Sequence, residues 1–333
     1  MIGQPFAIAT ATLLVVAAAA GINLYVTLGA LGIASRLGLI VALSPGVSGL
    51  ENGLVIATAA GLLLVEALAD RELAFAGMWH TVHAIVKPLA AGLLAASALA
   101  GQPAQLILAG SLLAALTALV FHGIRYGARV ARRIPDPPRG GFLVTLAEAA
   151  IALALLVTVR FREASVPTAA GLVLVALVAG PVGLRAFRLG VSAQRARLKA
   201  MLGRKGWYEI GRLPRSLQAA VPETPLAGTP ARAMKVGILS VPGFGRFSRA
   251  WLVADTGGHR LLCRSLRGRR HYEIPGRPAV EIVPGAWADA VEIDAAAGKL
   301  RILLLKDGPA PALVARSLAP EPVSDHRVEV RNP

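Results

Sequence analysis

Six apolar runs dominate the first 190 residues of the chain: Phe6 to Ser35, Gly53 to Ala69, Met78 to Ala100, Ala104 to Ile124, Phe142 to Val159 and Ser165 to Phe187. A helix that crosses the hydrocarbon of a bilayer needs about 20 mostly apolar residues, because no water is there to satisfy its backbone. The runs predict an α-helical polytopic membrane domain of about six spans. The fifth run is short and the first too long. With Gly21-Ile22-Asn23 at its middle, the first run is either one tilted span or two half-helices. Composition narrows the class further. Only 16% of the residues are charged, against about 25% in a soluble enzyme. The net charge of +16 coexists with a mean hydropathy of +0.61, which excludes an ordinary nucleic-acid binder.

The basic residues set the orientation. Arg125, Arg129, Arg132, Arg133 and Arg139 follow the fourth run, and Arg185, Arg188, Arg195, Arg197, Lys199 and Arg204 follow the sixth. By the positive-inside rule both segments are cytoplasmic, as is the N-terminus. Arg160 and Arg162 are a mild exception in an outward loop. The N-terminus has no basic residue before its apolar run, which disfavours a cleaved signal peptide.

Beyond residue 204 the pattern changes. Pro214, Pro222, Pro225 and Pro230 mark residues 205–233 as a linker. Short alternating runs then recur between Pro-Gly and Gly-rich turns, as a small antiparallel β domain requires. A helical stretch, Ala310 to Leu318, closes it. The expected organisation is a transmembrane domain over 1–204, a linker over 205–233, a cytoplasmic, mainly-β soluble domain over 234–320 and a tail over 321–333. Seven strands followed by one helix resemble a pleckstrin-homology-like barrel. The single Cys263 allows no internal disulfide, which agrees with a cytoplasmic location.

Ionisable groups at membrane depth are costly, and each is a candidate site. Asn23 lies mid-span. Glu66 and Asp70, four residues apart, share one face of the second helix. His80, His83 and Lys87 share a face at the start of the third. A short hairpin makes these two helices neighbours. His122 ends the fourth span and Glu148 lies about two turns into the fifth, so the set converges on the cytoplasmic half. Three readings follow. In the first, Glu66 and Lys87 form a buried ion pair that locks the hairpin. In the second, the set is a proton, cation or anion pathway. In the third it is a metal or catalytic centre, since two His and two carboxylates are suitable ligand types. No GxSxG, GxxxxGK[ST], HExxH or GxGxxG motif stands in a suitable context, and no cofactor is implied. In the β domain Arg264, Arg267, Arg269 and Arg270 surround one turn. They suit a surface of anionic lipid or, equally, a solvated loop. The alternative to a transporter- or channel-like role is a membrane-anchored scaffold or sensor whose cytoplasmic β domain binds a protein partner or anionic lipid.

The strings Gly21-Ile22-Asn23-Leu24-Tyr25, Glu66-Ala67-Leu68-Ala69-Asp70-Arg71 and Trp79-His80-Thr81-Val82-His83 through Lys87-Pro88 resemble the bacterial membrane proteins grouped as domain of unknown function 4126. Leu143 to Ala149 resembles a later segment of the same family. The resemblance covers residues 5–200. It implies a multi-pass protein of the bacterial inner membrane and carries no activity. His80 stands where the family usually has Asp, Lys87 where Arg is more typical, and Ala149 where an Asp follows the Glu.

Overall fold

The computed structural model of the chain describes residues 3–39, 45–69, 73–133, 141–203, 206–218, 232–255, 258–265, 268–274, 279–285, 288–295 and 298–318. The chain divides into two compact units, residues 1–129 with 138–184, and residues 130–137 with 185–333.

The first unit is helical. Its elements are α1 (Gly3–Ile22), α2 (Leu24–Arg36), α3 (Gly53–Ala69), α4 (Leu73–Ala98), α5 (Ala104–Arg133), α6 (Gly141–Arg160) and α7 (Arg162–Met201), whose last turns belong to the second unit. Among the described residues four segments are long and apolar enough to cross a membrane: Met78–Ala98, Ala104–Val130, Leu143–Arg160 and Glu163–Met201. These are the last four of the six expected runs. The second run, α3, is a shorter apolar helix, and the first is divided into two.

The division at Asn23 has a local cause. Its backbone is extended (φ −143°, ψ 98°), and its Oδ1 accepts a hydrogen bond from the Val26 N–H, capping α2. Thr27 Oγ1 donates to the Asn23 carbonyl at 2.8 Å. Because the cap takes the Val26 N–H, the carbonyl of Ile22 is left open to another donor. Gly21 serves packing rather than the bend. A Cβ there would stand 2.5 Å from the Ala118 carbonyl oxygen, so only glycine lets α1 approach the α5 backbone this closely.

Small residues bring the helices together throughout. Ala17, Ala20, Ala91, Ala95, Ala114 and Ala118 form one buried cluster with Leu24 and Tyr25. Val16, Ala19, Val26 and Leu31 pack against Ala152 and Leu156 of α6 on another side. Large side chains such as Leu64, Leu93, Leu108, Leu116, Leu174 and Leu177 point outward, as a lipid-facing surface requires.

The second unit is built on one antiparallel sheet. Strands β1 (Tyr208–Glu209), β2 (Arg232–Ser240), β3 (Arg249–Asp255), β4 (Gly258–Ser265), β5 (Gly268–Ile274), β6 (Ala279–Val283), β7 (Ala288–Ala295) and β8 (Gly298–Leu305) are followed by α9 (Pro311–Leu318). The order is β5-β4-β3-β2-β8-β7-β6, with β1 on β2. Two meanders are joined where β2 pairs with β8, giving a half-barrel, and the register slips between Ile238 and Ser240. Alternation sends Met234, Val236 and Ile238 of β2 into the core with Leu252, Leu261, Ile293, Ile302 and the α9 residues Val314 and Leu318. The other face is covered too. Leu213 and Leu217 pack on Ala233, Val253 and Leu262, so part of the stretch expected to be linker, including the short helix α8 (Arg215–Gln218), lies on the sheet. Leu189 of α7 packs on Gly237, where a Cβ would be 2.8 Å from it. Residues 219–231 and 319–333 lie outside the described residues.

Two outcomes follow from this packing. Gly183→Ala places a methyl 2.7 Å from the Ile124 Cα. The overpacking cost of about 1–3 kcal/mol outweighs the helix gain of about 1 kcal/mol, and thermal unfolding in detergent shows a loss. Gly61→Ala, with nothing within 4 Å, shows only the gain. The second concerns Tyr208, whose hydroxyl donates to Asp307 Oδ2 at 2.9 Å. Burial, then the Asp307 hydrogen bond and charge, push its phenol up to about 12. Its folded value is raised, so its contribution is complete below the ordinary value near 10 and fades as pH rises toward 12. Tyr208→Phe lowers stability at neutral pH by about 1–3 kcal/mol, because the buried Asp307 loses a donor. The difference from the parent chain narrows across that alkaline window.

Candidate functional site

Four helices bring charge to one place. Glu66 near the end of α3, Lys87 within α4, Arg125 and Arg129 on α5 and Glu148 on α6 form a chain in which signs alternate. Lys87 Nζ lies 3.7 Å from Glu66 Oε1. Arg125 joins the two carboxylates, with Nη1 donating to Glu66 Oε1 at 2.8 Å and Nε to Glu148 Oε2 at 2.7 Å. Arg129 grips Glu148 with both oxygens engaged, Nε donating to Oε1 at 2.8 Å and Nη2 to Oε2. Arg129 Nη2 also donates to Thr145 Oγ1 at 3.3 Å. Glu66 and Lys87 are fully buried. Taking each of these ions out of water costs several kcal/mol, and only such close alternation repays it.

Lys87 connects this chain to the divided first helix. Its ammonium donates to the Ile22 carbonyl at 3.1 Å and lies 3.5 Å from that of Gly21. These are the carbonyls at the C-terminal end of α1, where the helix dipole favours a cation. The capping of α2 by Asn23 therefore creates the acceptors that Lys87 uses. Three cations face two carboxylates, and the partial negative charge of the α1 terminus offsets part of the excess. Asn23 Nδ2 and Glu66 Oε2 are fully buried here without a hydrogen bond among the described residues.

The histidines form a flanking layer. His83 Nδ1 lies 2.7 Å from the Trp79 carbonyl, which only accepts, so this nitrogen carries the proton. In the neutral ring Nε2 then accepts from the Tyr25 hydroxyl at 2.5 Å. Tyr25, Trp79 and His83 also pack ring on ring. His122 Nε2 donates to the His80 carbonyl at 3.1 Å, and the His80 ring packs near Tyr126. Among the described residues no group of three or more His, Cys, Asp or Glu side chains is placed to hold a metal ion. Both carboxylates of the network are engaged by guanidinium groups.

A family model, Domain of unknown function (DUF4126), matches residues 10–185, more than half of the chain. The chain belongs to the DUF4126 family. No curated protein and no solved structure matches it. The matched residues hold every member of the charge chain, so the network lies within the family's region of the fold. The β domain lies outside it.

The structure places the expected residues as follows. Glu66, Lys87 and Glu148 meet in the network. His80 and His122 lie beside it, Arg129 Nη1 standing 3.5 Å from His80 Nε2. His83 is engaged by Tyr25 and Trp79, and Asn23 caps α2. Asp70 lies outside the described residues. In the β domain Arg264 is exposed on β4 and in register with Arg269 of β5. Arg270 donates to the Gly243 carbonyl, and Arg267 lies outside the described residues.

Sequence reasoning missed Arg125 and Arg129 as site residues. Both follow the fourth apolar run, a position that in sequence signals topology, but α5 continues through them to Arg133 and buries both. Their spacing of four, on the helix that carries His122, was the available signal. Thr145, Tyr25 and Trp79 were also absent from the expected set.

Double-mutant analysis of Glu66→Gln and Lys87→Met measures how far this chain acts as one unit. Each single change lowers thermal stability by about 3–5 kcal/mol, since it leaves a buried charge without its partner. The double variant loses clearly less than the sum. Strict additivity would show that Glu66 and Lys87 do not interact.

Proposed function

We propose that this protein is a transport-type protein of a bacterial inner membrane, with the divided first helix and the charge chain at Lys87, Glu66, Arg125, Glu148 and Arg129 as its working site. One observation carries the reading: the carbonyls freed at the end of α1 meet the Lys87 ammonium inside an apolar helix bundle. Discontinuous helices whose termini face charge are a recurring way to build an ion or substrate site at membrane depth. Exchange of partners along an alternating chain supplies a two-state element, because Arg125 already holds Glu66 and Glu148 at once. A proton or a small ion is the substrate class that such a site suits. Arg132, Arg133 and Arg139 after the fourth run, and the basic residues that follow the sixth, support a cytoplasmic β domain.

Purified protein in liposomes tests this. Proton or ion flux is expected, abolished by Glu66→Gln in protein that remains folded by size-exclusion chromatography. Lys87→Arg, which keeps the cation, retains flux. If the parent protein carries no flux and Glu66→Gln changes only stability, the network is a structural lock and the reading fails.

A further inference from the structure

The loop between β2 and β3 has features that neither the sheet nor the membrane network requires. It runs from Val241 to Ser248 and contains Pro242-Gly243-Phe244-Gly245-Arg246-Phe247. Phe247 adopts φ 62°, a conformation rarely taken by a bulky side chain, and Gly243 has φ 76°. The hold on Phe247 is specific: its side chain is buried and its N–H donates to the Ile238 carbonyl at 2.7 Å. Strain maintained in this way marks a candidate functional loop. The N–H groups of Gly243, Gly245 and Arg246 have no acceptor among the described residues, whereas those of Phe244, Phe247 and Ser248 do. Open N–H groups in a turn of this kind form an anion-binding concavity.

Two guanidinium groups reach this loop from other elements, the Arg246 guanidinium lies over the Phe247 ring, and Arg249, whose Nη1 is 3.4 Å from Ser192 Oγ, borders it. Arg185 lies so close to Gly245 that a Cβ there would be 2.9 Å from its Nη1. Arg270 reaches the loop from β5 and donates to the Gly243 carbonyl. Arg246 is within the loop and Arg249 directly follows it. Arg270, Arg185 and Arg249 all act electrostatically on the Cys263 thiol, which burial nevertheless holds above its ordinary range. Arg185, Arg246 and Arg249 are exposed. Among the described residues the ion pairs of this unit include Arg260–Glu273, Lys299–Asp294, Arg301–Glu292 and Lys306–Asp289, all away from the loop arginines. Among the described residues none of the four loop arginines has a carboxylate partner. So much unpaired positive charge around open N–H groups suits an anion with several oxygens. Its position suggests the source. Arg185 is the first charged residue of α7 beyond Glu163 and opens the basic C-terminal part of that helix, a composition that suits the headgroup layer of a membrane.

We propose that the β2–β3 loop, with Arg185, Arg246, Arg249 and Arg270, is a binding site for a phosphate group, such as that of an anionic lipid headgroup. The site is independent of the transport reading, and the failure of one leaves the other standing.

Native mass spectrometry of the full chain in neutral detergent tests it, with phosphatidylglycerol, phosphatidylcholine and inorganic phosphate as probes. Phosphatidylglycerol is retained in preference to phosphatidylcholine. Arg246→Gln, an exposed change, lowers that retention roughly fivefold, and Arg185→Gln with Arg270→Gln lowers it further. Lys299→Gln, distant from the loop in sequence and already paired, leaves it unchanged. Competition by millimolar inorganic phosphate identifies free phosphate as a sufficient ligand, and its failure to compete identifies the lipid as the source. Binding of neither phosphatidylglycerol nor inorganic phosphate, or equal losses in Arg246→Gln and Lys299→Gln, overturns the proposal.

Discussion

Every polar group placed inside hydrocarbon must find its partner within the protein, and the first unit is arranged around that constraint. The division at Asn23 would leave backbone carbonyls without donors in a medium that offers none. Lys87 answers them, and in doing so brings an ammonium to a depth where it needs a carboxylate. Glu66 meets that need, Arg125 links Glu66 to Glu148, and Arg129 closes the series. Each charge is tolerable because of the next one, so the break in the helix and the ion chain form a single electrostatic structure.

Such a chain needs helices that approach one another closely, and small residues make that possible. Gly21 lets α1 press on the backbone of α5 at Ala118, and Gly183 does the same against Ile124. Alanines on α1, α4 and α5 fill the intervening space. Many of the leucines, such as Leu64, Leu93 and Leu116, lie on the outer surface, where lipid tails offer an equally apolar environment and no close fit is required. The distribution of side-chain size, more than hydrophobicity, therefore sets which faces meet.

The β domain follows different rules, because water is available to its loops. Alternation along β2 decides which side chains enter the core, and the pairing of β2 with β8 joins two meanders into one half-barrel. Both faces of the sheet are used: α9 fills one, while the segment around Leu213 and Leu217 and the end of α7 cover the other. Membership of the DUF4126 family concerns the helical region alone, so the two units need separate functional accounts.

Apolar run length and the change to period-two alternation depend on local chemistry, and by themselves they determined the helical region, the β domain and its closing helix. They also drew attention to Asn23, Glu66, Lys87 and Glu148, because a polar residue in an apolar run stands out without any knowledge of its partners. Choice of partner was beyond their reach. Arg125 and Arg129 read as residues of a cytoplasmic loop, since a basic residue after an apolar run has the same appearance whether it faces water or turns inward. Only the tertiary structure decided that α5 continues and that its arginines take the carboxylates of α3 and α6. His83 likewise lies among charged neighbours in the sequence and in the folded protein engages Tyr25 and Trp79 instead. The physical reason is that ion pairing in a low-dielectric interior depends on distances of a few ångströms between helices, which residue spacing within one helix does not specify.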